Sequence, residues 1–525
     1  MTARDRFWMA GLVALTVVVR LPGLGAPLAD ALQAKQVYSA NKARGIAGPP
    51  FDASRLTLGL LDERGRRLEL VEEVPVYITV LAGLYRWFGE SEVWGRLLSL
   101  GGAVVAVVAF VALVRREHGA RAGWVGGLLL TLAPLFVFYG RAVMPDSWML
   151  AAMVVTAWAY RRYWDGGRRL GWLVATVGGA VVAVGSKYWG LMILVVLAEM
   201  AWRAEGRRWR AWVRPSFLGM VVVILIPVAL WMVLVFLRQR NPVVDGWTAG
   251  RRVSMPYLVF QDPSVLWDRR WYAAAVRFVV RDVGVVTAML MVVGVVAGWR
   301  RREVPGYRAG GELGWTVMGG LFFVLLAPKL VDHDYYGLLM LPAASLWATR
   351  GYLALESRCW AGWGIDGGGV VGRWRRVGVV GILGLAVVVQ GPWVDGSRFR
   401  VEEGKVALGR ALAGASGPGG RVVVVGPGIA LITALHYSGR EGWVERWERL
   451  PLDWAEQVAR WRRMGAECLG VYWDGAATAE QRAEIARLVE VLPVVERGRR
   501  GDGAYVVVRL DAEAVAGLVG GVVRR

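Results

Sequence analysis

Two carboxylates stand where apolar sequence gives way to polar sequence. Asp30 follows the first apolar run, in Leu28-Ala29-Asp30-Ala31-Leu32-Gln33-Ala34-Lys35-Gln36. Asp146 ends Tyr139-Gly140-Arg141-Ala142-Val143-Met144-Pro145-Asp146, after the third run. Two acids at a lipid–water boundary point to chemistry on a lipid-borne substrate. The same side carries few cations on short loops, namely Arg141, Lys187 and Lys329. An isolated basic residue at a membrane edge is costly and marks a site, unless it only snorkels to headgroups. A competing local role exists for each acid. Asp30 is placed to cap a helix over 31–43, and Asp146 to cap the helix after Pro145.

The elements that position these residues are set by composition. The chain has 525 residues and is 56% apolar, above the roughly 45–50% of soluble domains. Several apolar runs reach the ~17–25 residues that span hydrocarbon. Spans are predicted near 6–22, 92–114, 122–139, 147–163, 170–186, 188–203, 215–237, 283–299, 313–330, 335–351 and 376–392. Arg4 and Arg6 precede the first, but no small-x-small cleavage site follows it, so it reads as an uncleaved helix. The net charge of +21 comes with no nucleic-acid-binding motif. It clusters instead in alternate connections, as cytoplasmic loops require. Eleven spans with the N-terminus inside leave the C-terminus outside. Cys359 and Cys468 then fall on opposite sides and do not pair, and neither has metal spacing.

Three segments exceed plain connections: outer loops 23–91 and 238–282, and the tail 393–525. Val74 to Phe88 reads as an interfacial amphipathic helix anchored by Tyr77, Tyr85 and Trp87. Trp247, Trp267 and Trp271 fit the interface, with stacking on sugar faces as the alternative. In the tail, strand patterns at 421–426, 468–473 and 504–509 alternate with helical patterns at 452–464 and 479–491. Thr478 and Gln481 have capping-box spacing. Gly426-Pro427-Gly428 lacks the remaining residues of a nucleotide loop. The expected architecture is a polytopic α-helical membrane domain over 1–392 followed by a soluble α/β domain over 393–525.

At this point the chain resembles the GT-C membrane glycosyltransferases, in particular protein O-mannosyltransferases and lipid A aminoarabinose transferases. Four patterns of that group appear in order over about 1–350: Asp30…Lys35-Gln36; Glu73-Val74-Pro75-Val76-Tyr77…Phe88-Gly89…Gly95-Arg96-Leu97-Leu98-Ser99; Tyr139-Gly140-Arg141-Ala142-Val143-Met144-Pro145-Asp146; and His333-Asp334-Tyr335-Tyr336…Pro342. Lys35 stands where relatives commonly have Arg, so a bidentate fork becomes a point charge.

The resemblance implies an inverting glycosyltransferase of the bacterial cytoplasmic membrane. It would move a sugar from a polyprenyl-phosphate carrier to a protein, lipid or glycan acceptor on the outer face. It implies Asp30 and Asp146 as the catalytic acids. A carboxylate at Asp30 can take the acceptor hydroxyl proton as the oxygen attacks the anomeric carbon. The carrier phosphate would be met by Lys35, Gln36, Arg141, Lys187, Lys329, His333, Tyr335 and Tyr336. Glu73 matches a position that in some relatives helps hold a divalent ion, with Glu72 and His333 as further candidate ligands. A hard ion there would stabilise the departing phosphate. The alternative is a transporter or flippase of lipid-linked glycans. Transporters often show internal repeats and charges inside helices; here the span interiors are nearly free of charge and no repeat is evident. A non-catalytic scaffold for the tail domain is the third reading.

Overall fold

The computed structural model describes residues 2–69, 74–238, 263–300, 304, 307–308, 310–331, 333–361, 381–382, 384–385, 388, 396–447, 454–501 and 503–523. The expected span at 376–392, most of the 238–282 loop including Trp247, and Glu72 and Glu73 lie largely or wholly outside them.

Helices dominate the first 361 residues. Glu92–His118 runs for 27 residues, ~40 Å at 1.5 Å per residue. Glu92–His118 and Asp334–Ser357 are the two described helices that are long and apolar enough to cross a membrane singly. A third span results if Arg269–Asp282 and Val285–Trp299, which meet at 106°, are counted together. Several expected spans are interrupted. The stretch 122–139 breaks after Leu132, and Pro134 opens a new helix, Pro134–Tyr139. Pro328 sits in the short helix Ala327–Leu330, which splits 313–330. Proline has no N–H to donate and its ring clashes with the preceding turn, so helices restart there. The stretches 188–203 and 335–351 both begin as 3₁₀ turns. Packing between Val285–Trp299 and Leu341–Ala361 depends on small residues. A Cβ on Gly294 would run into the Trp347 carbonyl, and one on Gly351 into the Leu290 carbonyl. Close backbone approach of this kind is how apolar helices associate where lipid is the solvent.

Seven strands form one sheet: β1 (Thr57–Leu61), β2 (Arg67–Glu69), β3 (Arg421–Gly426), β4 (Glu441–Arg446), β5 (Ala466–Trp473), β6 (Val494–Arg500) and β7 (Gly503–Arg509), in the order β2-β1-β4-β3-β5-β7-β6. The central β1, β4, β3 and β5 are parallel, and β2, β7 and β6 run antiparallel to their neighbours. The three strands expected in the tail are β3, β5 and β7. The strands β1 and β2 come from the first loop, which therefore joins the sheet of the tail.

Residues of β3 alternate between two cores, as a period of two requires. Val422 and Val424 pack with Leu408, Leu435, Leu58 and Leu60, while Val423 and Val425 pack with Trp443, Trp461, Leu469 and Val471. Burial on both faces explains the continuous valine run. The capping box forms: Gln481 N donates to Thr478 Oγ1 at 3.2 Å and Thr478 N to Gln481 Oε1 at 2.9 Å. Cys468 is free and buried.

One correction concerns Val76–Phe88. It is a helix, but of the three expected anchors Tyr77 and Tyr85 are buried, and Trp87, 80% exposed, projects outward together with Phe88. Tyr77 Oη instead donates to the Gly95 carbonyl at 3.0 Å and lies 2.8 Å from Ser99 Oγ.

The first loop is fastened to the tail by Ile432–Ser438. His436 Nδ1 lies 2.6 Å from Asn41 Oδ1, and Thr433 Oγ1 donates to Gln33 Oε1 at 2.9 Å. Arg44, clamped on Glu90, faces the same ring. Burial, then the Arg44 charge, hold the His436 imidazole well below its usual range. The unfolded chain takes up a proton near pH ~6.5 that the docked ring refuses. Docking therefore loses stability as pH falls below that value. Amide exchange over 33–47, corrected for its intrinsic pH dependence, should rise between about pH 7.5 and about pH 5.5. His436→Gln should flatten that dependence. Equal protection at both pH values in the wild type would contradict it.

Candidate active site

Asp30 lies at the centre of the loops that meet over the helix ends. It is 3% exposed. Arg96 Nη2 donates to its Oδ2 at 3.1 Å and Arg141 Nη2 to the same atom at 3.2 Å. Gln36 Nε2 donates to Oδ1 at 2.5 Å, and Gln36 Oε1 accepts the Val143 N–H at 3.1 Å. Three separate segments, 30–36, the start of Glu92–His118 and the 139–146 loop, are thus tied through one carboxylate. The carbonyl of Gly23 receives both guanidinium groups. Gly23 has φ of +72°, and a Cβ there would sit 3.3 Å from Arg141 Nη2, so glycine suits this approach. Asp30 is not a helix cap. Helix Gln33–Ala47 begins after Leu32, without a side-chain cap.

Burial raises the Asp30 carboxyl above its usual range, against the pull of Arg96, Arg141 and Gln36. Two guanidinium groups meet Oδ2 and the Gln36 amide meets Oδ1, and the backbone N–H of Asp30 adds to the hold on the carboxylate.

A second ion pair lies at the end of the same 139–146 segment. Asp146 opens helix Asp146–Asp165 and is 1% exposed. Lys187 Nζ donates to its Oδ1 at 2.9 Å, while Oδ2 has no hydrogen-bond partner among the described residues. Lys187 also lies over the rings of Tyr335 and Tyr336, at 4.4 and 5.2 Å. The His333 ring is parallel to that of Tyr336, with centroids 6.2 Å apart. Tyr139 is joined to this group through Tyr335, centroid to centroid 6.0 Å. Lys329 is half-buried one turn before His333, whose N–H it accepts at 2.9 Å. Lys35 is half-buried near the Tyr38 ring, at 5.7 Å.

The structure brings Asp30, Gln36 and Arg141 into one cluster and Asp146, Lys187, His333, Tyr335 and Tyr336 into another. Arg141 points at Asp30 and away from solvent, 1% exposed. Sequence reasoning did not single out Arg96, although Gly95-Arg96…Ser99 lay inside a quoted pattern. It also passed over Asp282, Asp334 and Arg398, discussed below.

Among the described residues, no three of His, Cys, Asp and Glu gather so as to hold a divalent ion. His333 has aromatic neighbours, and Glu73 lies outside the described residues.

A separate cavity of about 440 Å³ opens where the first loop meets β4, lined by Arg44, Arg55, Arg67, Arg440, Glu69 and Glu441 among others. Three of its four arginines are paired: Arg44 is clamped on Glu90, Arg55 pairs with Asp52 and Arg67 with Glu441.

Crossing helices, broken apolar helices and a sheet fastened over the site define a multi-pass membrane protein with a sheet-bearing domain. Comparison with known proteins sharpens this class. Residues 72–231 match the family model of dolichyl-phosphate-mannose-protein mannosyltransferase. No curated protein matches by sequence. The fold is similar to ArnT from Cupriavidus metallidurans bound to undecaprenyl phosphate, with TM-score 0.63 and 15% identity over 98% of this chain and 99% of that one. It is also similar to the oligosaccharyltransferase AglB from Archaeoglobus fulgidus in complex with an inhibitory peptide and a dolichol-phosphate (TM-score 0.53, 11% identity, 94% of this chain, 73% of that one). The mycobacterial arabinofuranosyltransferase AftD gives TM-score 0.55 and 14% identity over 97% of this chain and 40% of that one. The chain has the GT-C fold, and the resemblance read from its motifs stands.

Proposed function

We propose that the protein is a glycosyltransferase that moves a sugar from a polyprenyl-phosphate carrier to an acceptor hydroxyl, with inversion at the anomeric carbon. The observation that carries this reading is a pair of buried ionic clusters joined by the 139–146 segment: Arg141 donates to Asp30, and Asp146 accepts from Lys187. The full-length likeness to a structure bound to undecaprenyl phosphate supports it.

In the proposed reaction Asp30 Oδ1 accepts the proton of the acceptor hydroxyl. The acceptor oxygen bonds to the anomeric carbon while the bond from that carbon to the phosphate oxygen breaks. The phosphate leaves with the electron pair. Lys187, with Lys35, Lys329, His333, Tyr335 and Tyr336, supplies positive charge and donors for it, while Gln36 and Arg141 hold Asp30. Asp146 orients Lys187. About eleven spans, with the tail domain outside a bacterial cytoplasmic membrane, would put this centre on the outer face. The acidic and basic groups sit at helix ends rather than inside spans, which speaks against the transporter alternative.

The test is transfer by purified enzyme in proteoliposomes supplied with radiolabelled polyprenyl-phosphate sugars and a cell-envelope extract as acceptor. Label should move from the lipid-extractable fraction to the acceptor, and the anomeric configuration should invert. Movement of intact lipid-linked sugar across the bilayer without chemical transfer would instead support a flippase.

A further inference from the structure

The tail re-enters the active centre at 398–402. Arg398 is 3% exposed. Its guanidinium bonds Asp282, and it donates to Asp334 Oδ2 at 2.8 Å. Asp334 Oδ1 in turn accepts the Tyr139 hydroxyl at 2.6 Å. The side chain of Arg398 is therefore locked to two carboxylates at the helix ends. Its backbone faces the opposite way. The Arg398 carbonyl accepts the Ala31 N–H at 3.1 Å, and Glu402 N donates to the Ala29 carbonyl at 2.9 Å. Both neighbours of Asp30 are thus held by the one short segment. Between them, the Phe399 ring lies 4.6 Å from the Arg141 guanidinium, which is itself a partner of Asp30.

We propose that Arg398 is a positioning residue that fixes the Asp30 loop against the Tyr139–Asp334 side of the centre, so that the tail completes the site. The catalytic consequence rests on the reading of Asp30 as the base. The physical reason is that Asp30 starts no helix and hangs on a loop between Gly23 and Gln33. A loop carboxylate keeps a reactive geometry only when neighbouring groups over-determine it. Both carboxylates are met by one nitrogen, Arg398 Nη2, held in place by a planar guanidinium, whereas an ammonium is a point charge on a flexible stem.

The experiment compares Arg398→Gln, Arg398→Lys and Phe399→Leu in the full-length protein. Turnover of folded enzyme should fall ~10²-fold in Arg398→Gln, the loss typical of a misplaced catalytic group. KM for the carrier should change less than turnover, because Arg398 is not itself one of the proposed phosphate contacts. The acid limb of the pH–rate profile should shift as the surroundings of Asp30 change. Arg398→Lys should recover part of the rate. Phe399→Leu leaves the buried charges intact, and should give a smaller loss of the same kind if Arg398→Gln does not fold. Amide exchange over 28–36 should rise in these variants relative to β3. Unchanged turnover and unchanged exchange over 28–36 would overturn the proposal, as would a loss wholly explained by a smaller folded fraction. Raised exchange over 28–36 in a protein that transfers no sugar would keep the positioning role and overturn the glycosyltransferase reading instead.

Discussion

Asp30→Asn is expected to lower sugar transfer about 10²–10⁴-fold, the usual loss when a positioned base is removed. The change keeps the shape of the side chain and its contact with Gln36. It removes the charge that Arg96 and Arg141 share, and both guanidiniums are buried. Breaking a buried pair from one side costs about 3–5 kcal/mol, so some folded protein should be lost as well. Turnover must be measured per folded molecule, with thermal unfolding recorded in parallel. The wild-type pH profile supplies an independent check. Burial raises the Asp30 carboxyl, although its two arginines and Gln36 pull it back. A base works only when ionised. Transfer should therefore fall as pH drops through that raised value, with an acid limb above the ordinary carboxylate pKa of about 4. An acid limb at or below that value, or an Asp30→Asn enzyme with wild-type turnover, would remove Asp30 from the base role.

The sequence carried the helical membrane class of the fold in its apolar runs, and its motifs pointed to the candidate site residues. Asp30 and Asp146 could be named because each is a carboxylate where an apolar run ends, and Gln36 and Tyr335 because they stand in short patterns of the resemblance. Their partners were harder to read. Arg141 and Lys187 look like lone cations on short loops, and nothing local shows that each lies on a carboxylate. Arg96 begins an apolar helix, where a buried arginine reads as a boundary residue. Arg398 lies in a segment with no periodicity, and its partners Asp282 and Asp334 come from two distant loops. Such contacts are set by tertiary closure, which period and composition do not encode. The hairpin β1–β2 escaped for a different reason. It is short and charged, with Asp62 turning the chain through Arg64 and Arg66, and its apolar residues Leu58 and Leu60 gain meaning only against β4 and β3. Likewise the breaks at Pro134 and Pro328 were visible as prolines, yet hydropathy alone merged the pieces into spans.

Lys187→Gln is expected to lower the transfer rate about 10²–10³-fold, the scale of losing one preorganised electrostatic group, and to weaken carrier binding. Lys187 ends helix Leu170–Ser186 in extended backbone, φ −162°, which turns its side chain away from the helix axis. A cation is favoured beside a helix C-terminus. It is 3% exposed, and a buried ammonium is tolerated only when paired. Asp146 and the faces of Tyr335 and Tyr336 provide that pairing. A structural ion pair and a phosphate site predict different outcomes for the double variant Asp146→Asn/Lys187→Gln. If the pair only stabilises the fold, neutralising both partners removes the unpaired Asp146 charge and activity returns toward wild type. If Lys187 meets the leaving phosphate, the double variant folds better than Lys187→Gln alone yet stays slow, because no cation faces the developing charge. Lys329→Gln is the comparison. Lys329 is half-buried and sits one turn before His333, so it should affect carrier binding less than Lys187 does. A larger effect at Lys329, with Lys187→Gln near wild type, would move the phosphate to the Lys329–His333 side of the tyrosine pair.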